Sequence, residues 1–440
     1  MVTSFRSLQG MLHALRWALL LLLLGPLVAL TITTPSPMAV SMASAPASAS
    51  PLPLRLLSTP PEELREHFGW PAMERTSVDK SLIVWSALRK GINVLDPDEC
   101  AATKYVSPNL NRQLLGACAP VSPLRLETSS ISEDGTQKLL VALADGLSVE
   151  CVIIPMHGGK HTSLCVSSQV GCSRGCAFCS TGAMGLVRSL TTEEILAQVW
   201  TAVRAVRERG LPPLVNVVFM GMGEPLNNFE AVERAVRLLV HPKGFALSRR
   251  NVCVSTVGPS PALIARGGTL PCRLAWSVHA AQDPLRKLLV PTTAHPMATL
   301  RDAFLQTLAR KPGGDKARGL LVELALMRGV NDQPEHAAAL AHLLRPLGRR
   351  DVLVNLIPYN ENGLGLPDGP LFQPSRLEDV YAFQRHMWSE GVLCTVRATR
   401  GATERSACGQ LATEVADASA ARRPPKMAAA PAVGEEQQVS

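Results

Sequence analysis

Cys172, Cys176 and Cys179 stand within eight residues in the pattern C-x3-C-x2-C. Gly171 and Gly175 let this loop curl tightly enough for three thiolates to converge. Such a trio suits a four-iron cluster with one iron left open, or a structural zinc completed by His157 or His161. An open iron can chelate the amino and carboxylate groups of S-adenosylmethionine and pass an electron into its sulfonium. A zinc finger would be compact and would often bring a second cysteine pair. Here LCVSSQVGCSRGCAFCSTGAMG leads from an apolar strand into a helix and no second pair follows, which favours the cluster.

A second motif supports the first. In NVVFMGMGEPLNN, the residues Gly221, Gly223, Glu224 and Pro225 directly follow an apolar strand. The glycines allow close backbone approach, and Glu224 can accept from a ligand's ammonium group. Alone this could be only a tight connection. One strand after the cysteine loop, it reads as the methionyl-binding edge of the same site.

These motifs need elements to position them. The pattern predicts strands at Ser163–Ser168, Val215–Met220, Val252–Val257, Arg273–Val278, Leu320–Leu326, Val352–Ile357 and Val392–Val396. Amphipathic helices are expected at 192–208, 228–240, 298–311, 335–346 and 376–390, the first opened by a Thr191/Glu194 capping box. Strand–helix alternation implies an α/β fold with a parallel sheet and helices outside. About six units make an open, incomplete barrel, with working residues at the carboxyl ends of strands.

The ends differ in character. Residues 17–32, WALLLLLLGPLVALTI, are interrupted by Gly25-Pro26 and are short for a membrane span. With the acid-free Ser, Ala and Pro stretch that follows, 1–60 reads as a targeting leader, removed or disordered in the mature protein. Its two-part composition points to an organelle interior, plastid before mitochondrion, with the cytoplasm as alternative; no stable membrane association is expected after removal. Residues 61–135 read as a small, mostly helical N-terminal accessory region, 136–411 as the catalytic core and 412–440 as a disordered tail.

The formal charge of +8 suits a polyanionic partner such as RNA. Among the eleven cysteines, three crowd into the loop and the others scatter through apolar segments. That usage indicates a reducing compartment rather than a secreted disulfide framework. Arg249, Arg250, Arg397 and Arg400 are candidates to neutralise phosphates.

The sequence resembles the radical S-adenosylmethionine methyltransferases that modify adenosine in RNA, the dual-specificity C2 enzymes and the related C8 enzymes. The resemblance rests on CVSSQVGCSRGCAFCSTG, GMGEPLNN, RNVCVSTV, SVHA, VNLIPYN and TRGATERSACGQLA, which occur in family order over roughly 145–415. It implies a partial (β/α)6-type barrel. It also implies one 4Fe-4S cluster on Cys172, Cys176 and Cys179, and S-adenosylmethionine contacts from Gly223, Glu224, Ser255, Ser277, Val278, His279 and Asn355. Cys408 matches the family's S-methylated cysteine, Cys165 its partner, and Glu150 a carboxylate with the role of proton acceptor. Cys100, Cys118, Cys151, Cys253, Cys272 and Cys394 are read as packing residues.

The implied chemistry uses two molecules of S-adenosylmethionine per turnover. Carbon 2 of adenine is electrophilic, so a methyl cation equivalent cannot be delivered there directly. In the family, one molecule methylates the first cysteine and the second is cleaved to a radical that takes hydrogen from that methyl group. The methylene radical adds to the ring, and the partner cysteine releases the product through a transient disulfide. A low-potential donor such as flavodoxin or ferredoxin, and a monomeric enzyme, are expected. STVG, SVHA and IPYN replace the commoner STSG, SLHA and IPWN. The N-terminal region, which helps hold RNA in this family, matches poorly. Large-subunit rRNA is expected ahead of tRNA, and C2 ahead of C8 because housekeeping enzymes outnumber resistance enzymes.

Overall fold

Val- and Leu-rich runs such as VNVVF, VCVST and LLVELAL can be buried on both faces only if helices cover them, and parallel strands fit this situation. A computed structural model describes residues 52–72, 78–156, 158–310, 319–348, 350–366, 369–398, 400–401, 405 and 407–413. The apolar run at 17–32, His157 and the tail from 414 lie outside the described residues.

The strands, in chain order, are β1 (Arg125–Ile131), β2 (Gln137–Ala142), β3 (Ser148–Pro155), β4 (Thr162–Cys165), β5 (Gln169–Gly171) and β6 (Leu186–Ser189). They continue with β7 (Leu214–Phe219), β8 (Val252–Thr256), β9 (Arg273–Ser277), β10 (Leu320–Leu326), β11 (Val352–Pro358) and β12 (Leu393–Val396). One sheet runs β1-β2-β3-β4-β7-β8-β9-β10-β11-β12, and β5 and β6 form a separate hairpin. From β4 through β12 the large sheet is parallel, whereas β1 to β4 pair antiparallel. The two ends of the sheet, β1 and β12, do not pair with each other, so the barrel is open.

All seven strands expected from sequence are present. The first stops at Cys165 rather than Ser168, because Gln198 takes over as pairing partner: its side chain accepts from Ser167 N at 2.9 Å and donates to Ser167 O at 3.0 Å. The helices of the array are α6 (Thr192–Glu208), α7 (Phe229–Val240), α8 (Pro261–Gly267), α9 (Asp283–Leu289), α10 (Met297–Arg310), α11 (Pro334–Leu344) and α12 (Leu377–Ser389), after α5 (Ser180–Met184) in the cysteine loop. The capping box of α6 forms as its sequence dictates.

The N-terminal boundaries shift. Residues 54–60, grouped with the leader by sequence, belong to the folded body: Leu56 and Leu57 are buried and Trp85 Nε1 donates to Thr59 O at 3.2 Å. Helices α1 (Pro61–His67), α2 (Lys80–Leu88), α3 (Pro97–Thr103) and α4 (Pro108–Leu115) follow. This helical region docks on α6, where Arg204 and Arg207 reach Glu99 at 2.8 and 2.6 Å. The expected boundary at 135 falls in the turn between β1 and β2, so β1 belongs with the sheet rather than with the helices.

Candidate active site

The cysteine loop leaves β5, passes through α5 and returns as β6. Gly171 has a φ of 72°, and a Cβ there would coincide with the carbonyl oxygen of Gly185, whose own position is fixed by the Cys172 N–H at 2.9 Å. Cys172, Cys176 and Cys179 all line one cavity of about 1000 Å³ including its open mouth. Burial pushes the Cys172 thiol up to about 12 and raises those of Cys176 and Cys179. Thiols so placed become thiolates only when a cationic centre binds them.

Among the described residues no three His, Cys, Asp or Glu side chains converge on a single metal ion. A cluster binds its thiolates at separate corners and needs no such convergence. His161 precedes β4, at the amino end of the strand opposite the cysteine loop, so it is not placed to complete a zinc site.

The same cavity collects residues from the carboxyl ends of β7 to β11, so the sheet curls around it. Gly221 and Gly223 form its floor. A Cβ on Gly223 would sit 2.6 Å from Gln169 Cβ, and one on Gly221 would sit 2.8 Å from Val166 O. Glu224 is buried, and its carboxylate accepts from Leu226 N and Val257 N, each at 3.0 Å. Burial raises its pKa, and these donors oppose the rise.

Ser255 and Ser277 share a hydrogen bond of 3.0 Å, and Ser255 Oγ donates to Glu323 Oε2 at 3.4 Å. His279 holds a left-handed backbone with φ of 53°. Its Nδ1 accepts from Ala325 N at 3.1 Å, which places the ring proton on Nε2. Burial depresses its pKa to about 3, so it stays neutral. Val278 is fully buried; its N–H donates to Glu323 O at 2.9 Å.

Asn355 backs the other expected contacts, its side chain bonded to Glu323 of the cavity wall. It accepts from Thr395 Oγ1 at 3.2 Å and does not line the cavity, whereas Asn360 of the same VNLIPYN segment does.

Beyond this cavity lies a second, lined by Val152, Ile154, Cys165, Arg397, Arg400 and Cys408 among others. Cys408 lines both cavities and is open to solvent through them. All eleven cysteines are free. The Cys408 segment is tied down on both sides. Ser180 N donates to Gly409 O at 2.9 Å, Thr181 Oγ1 to Leu411 O at 2.6 Å, and Asn360 Nδ2 to Cys408 O at 3.2 Å.

Arg397 and Arg400 reach into this second cavity and face Glu323 at 3.6 Å and Asp134 at 3.7 Å. Arg249 and Arg250 instead sit in the turn before β8, at the amino end of the sheet. Glu150 is buried on β3, bound to Lys138 Nζ at 3.0 Å and Ala412 N at 2.9 Å, and it lines neither cavity.

Comparison with known proteins adds to this geometry. A model of the Radical SAM superfamily matches residues 166–341. The dual-specificity RNA methyltransferase RlmN of Marinobacter nauticus is 41% identical over 309 residues, covering 70% of this chain and 80% of that protein. The chain belongs to the RlmN family of radical S-adenosylmethionine methyltransferases. The RlmN of Alcanivorax borkumensis is 39% identical over 310 residues, with coverages of 70% and 78%. The crystal structure of a radical SAM methyltransferase from Sphaerobacter thermophilus aligns with a TM-score of 0.69 and 34% identity, covering 82% of this chain and 99% of that one.

Radical SAM chemistry uses a four-iron cluster and S-adenosylmethionine, and the residues of this RlmN-family chain fit both. Three thiols face one cavity, and the glycine floor is too tight for side chains. Sequence reasoning missed Glu323, Arg286 and Asn360. The signal for Glu323 was a lone acid inside the apolar strand LLVELAL. A single charge within a strand buried on both faces is there to meet a partner.

Proposed function

We propose that this chain methylates carbon 2 of an adenosine in large-subunit rRNA, with tRNA as second substrate, through an S-methylcysteine at Cys408. The observation that supports this most is that Cys408, alone among the cysteines, lines both the cavity of the cysteine loop and the cavity of Cys165. A methyl group carried on its sulfur could be loaded from one side and delivered on the other.

When bound, the cluster and S-adenosylmethionine supply an electron, a methyl group and a hydrogen-abstracting radical. Cys408 acts first as a nucleophile. Although the residue is exposed, protein packed around its sulfur raises the thiol pKa, and the neighbouring Arg397 guanidinium opposes that rise, favouring the thiolate. The Cys408 sulfur gains the methyl group, which then loses one hydrogen atom. Its carbon bonds to carbon 2 of the ring, and the adduct gives up one electron, which the oxidised cluster would take back, and releases the ring proton to solvent. The Cys165 sulfur next attacks the Cys408 sulfur. The sulfur–carbon bond breaks, the freed carbon takes a proton to become the methyl product, and a Cys165–Cys408 disulfide remains for a dithiol reductant to open. A flavodoxin- or ferredoxin-class donor would feed the electron. The leader supports work on organellar RNA, in a plastid before a mitochondrion.

The test is mass spectrometry of nucleosides from RNA treated with the anaerobically reconstituted protein. 2-Methyladenosine is expected; 8-methyladenosine instead would transfer the reading to the C8 reaction. Cleavage of S-adenosylmethionine with neither product would refute RNA methylation.

A further inference from the structure

Arg286 is fully buried on α9, yet forms no ion pair with a carboxylate among the described residues. Its guanidinium instead gathers the carbonyls that end two strands of the barrel. Nη1 donates to Ser277 O at 2.9 Å and to Val278 O, and Nη2 donates to Val257 O at 2.8 Å. Nε has no partner. The same helix abuts the cysteine loop, where the Ala177 N–H donates to Leu289 O at 2.9 Å.

A bare buried cation costs several kcal/mol unless a negative group compensates it. Carbonyl dipoles satisfy donors but bring no net charge. The negative groups that act on Arg286 are Cys176 and Glu224, one from each half of the proposed cofactor site. Burial lowers its pKa to about 10, which leaves it charged at neutral pH. A four-iron cluster held by three thiolates is an anion, and reduction adds one more negative charge. A fixed buried cation beside the cysteine loop therefore favours the reduced form, and net charge near a cluster is among the factors that set its potential.

We propose that Arg286 is the counter-cation of the iron–sulfur site, holding on the helix that abuts the cysteine loop a positive charge that makes the cluster easier to reduce. It is a positioning residue too, because Val257, whose carbonyl it holds, donates its N–H to Glu224. The proposal rests on the reading that Cys172, Cys176 and Cys179 carry the cluster.

The test is a potentiometric titration of the reconstituted protein, followed by electron paramagnetic resonance, for wild type, R286K and R286Q at matched iron content. R286K keeps the charge but not the three-carbonyl grip, whereas R286Q keeps an amide donor and loses the charge. The midpoint is expected to move to more negative potential in R286Q and to stay near wild type in R286K. A folded R286Q that takes up no cluster while R286K takes up four irons also supports the charge. An unchanged midpoint in R286Q, equal displacement in both variants, or loss of the cluster from both overturns it and leaves Arg286 as a carbonyl brace. Failure of the wild-type chain to bind iron would instead overturn the cluster assignment, and this proposal with it.

Discussion

Ala412 N donates to Glu150 Oε2 at 2.9 Å while Lys138 holds the other carboxylate oxygen at 3.0 Å. The antiparallel side of the sheet thereby fastens the chain four residues beyond Cys408. The family role of proton acceptor and this tether make opposite forecasts for two variants. An amide oxygen can still accept from Ala412, so E150Q should keep S-methylation of Cys408 within about threefold of wild type. E150A removes a charge-assisted bond of about 1.5–3 kcal/mol and should slow it by roughly tenfold or more. It should also speed alkylation of Cys408 by iodoacetamide. Intact-protein mass spectrometry reads both, and an E150Q as impaired as E150A would support the proton-acceptor role.

Cys165 and Cys408 both line the second cavity, and the proposed mechanism gives them separate tasks. C165A should accept the methyl group and couple to RNA but fail to release it. A covalent protein–RNA adduct on Cys408, seen as a gel-shifted species sensitive to ribonuclease, is expected from C165A and not from wild type. Free methylated RNA at the wild-type rate from C165A would sink the resolving role.

Gly171 tests the loop directly. Its φ of 72° and the absence of room for a Cβ leave no conformation for alanine without moving Cys172. G171A should remain folded, because β5 and β6 form their own small sheet, but should hold well under half the iron of wild type. Iron and sulfide analysis after reconstitution decides this, and full occupancy in G171A would show that the loop tolerates displacement.

Asn355 and Asn360 show where sequence was readable and where it was not. The parallel strands announced themselves through apolar runs, and the cysteine and Gly-Met-Gly-Glu-Pro motifs fell at strand ends, where such folds work. Within VNLIPYN, however, Asn355 bonds its strand neighbours Glu323 and Thr395, and only the chain beyond the strand brings Asn360 to the cavity wall. The polar strand β1, RLETSSI, has no apolar face to betray it; it is a strand because β2 pairs with it. Arg286 was invisible for a similar reason, since its three carbonyl partners come from the ends of two separate strands. N360A should weaken S-adenosylhomocysteine binding by about 1 kcal/mol, roughly fivefold, by calorimetry. N355A, which acts one step removed through Glu323, should weaken that affinity less than N360A and should also lower the melting temperature.

Glu193 links the N-terminal region to pH. It is buried at the start of α6, with Oε2 facing Arg55 at 3.4 Å and Oε1 without a partner. Burial raises its pKa from 4.5 to about 6, with Arg55 opposing. An acid with a raised folded pKa favours folding in its protonated form. Its contribution is therefore full below pH 4.5, declines as pH rises, and is lost above about 6. Above that pH the buried charge costs up to about 2 kcal/mol, less the part that solvent screening recovers. E193Q should accordingly melt higher than wild type at pH 7.5 and lose that advantage at pH 4.5. Thermal melts of the two proteins across this range check it, and a difference independent of pH would show that Glu193 acts through its hydrogen bonds to Arg55 and Ser58 rather than through its charge.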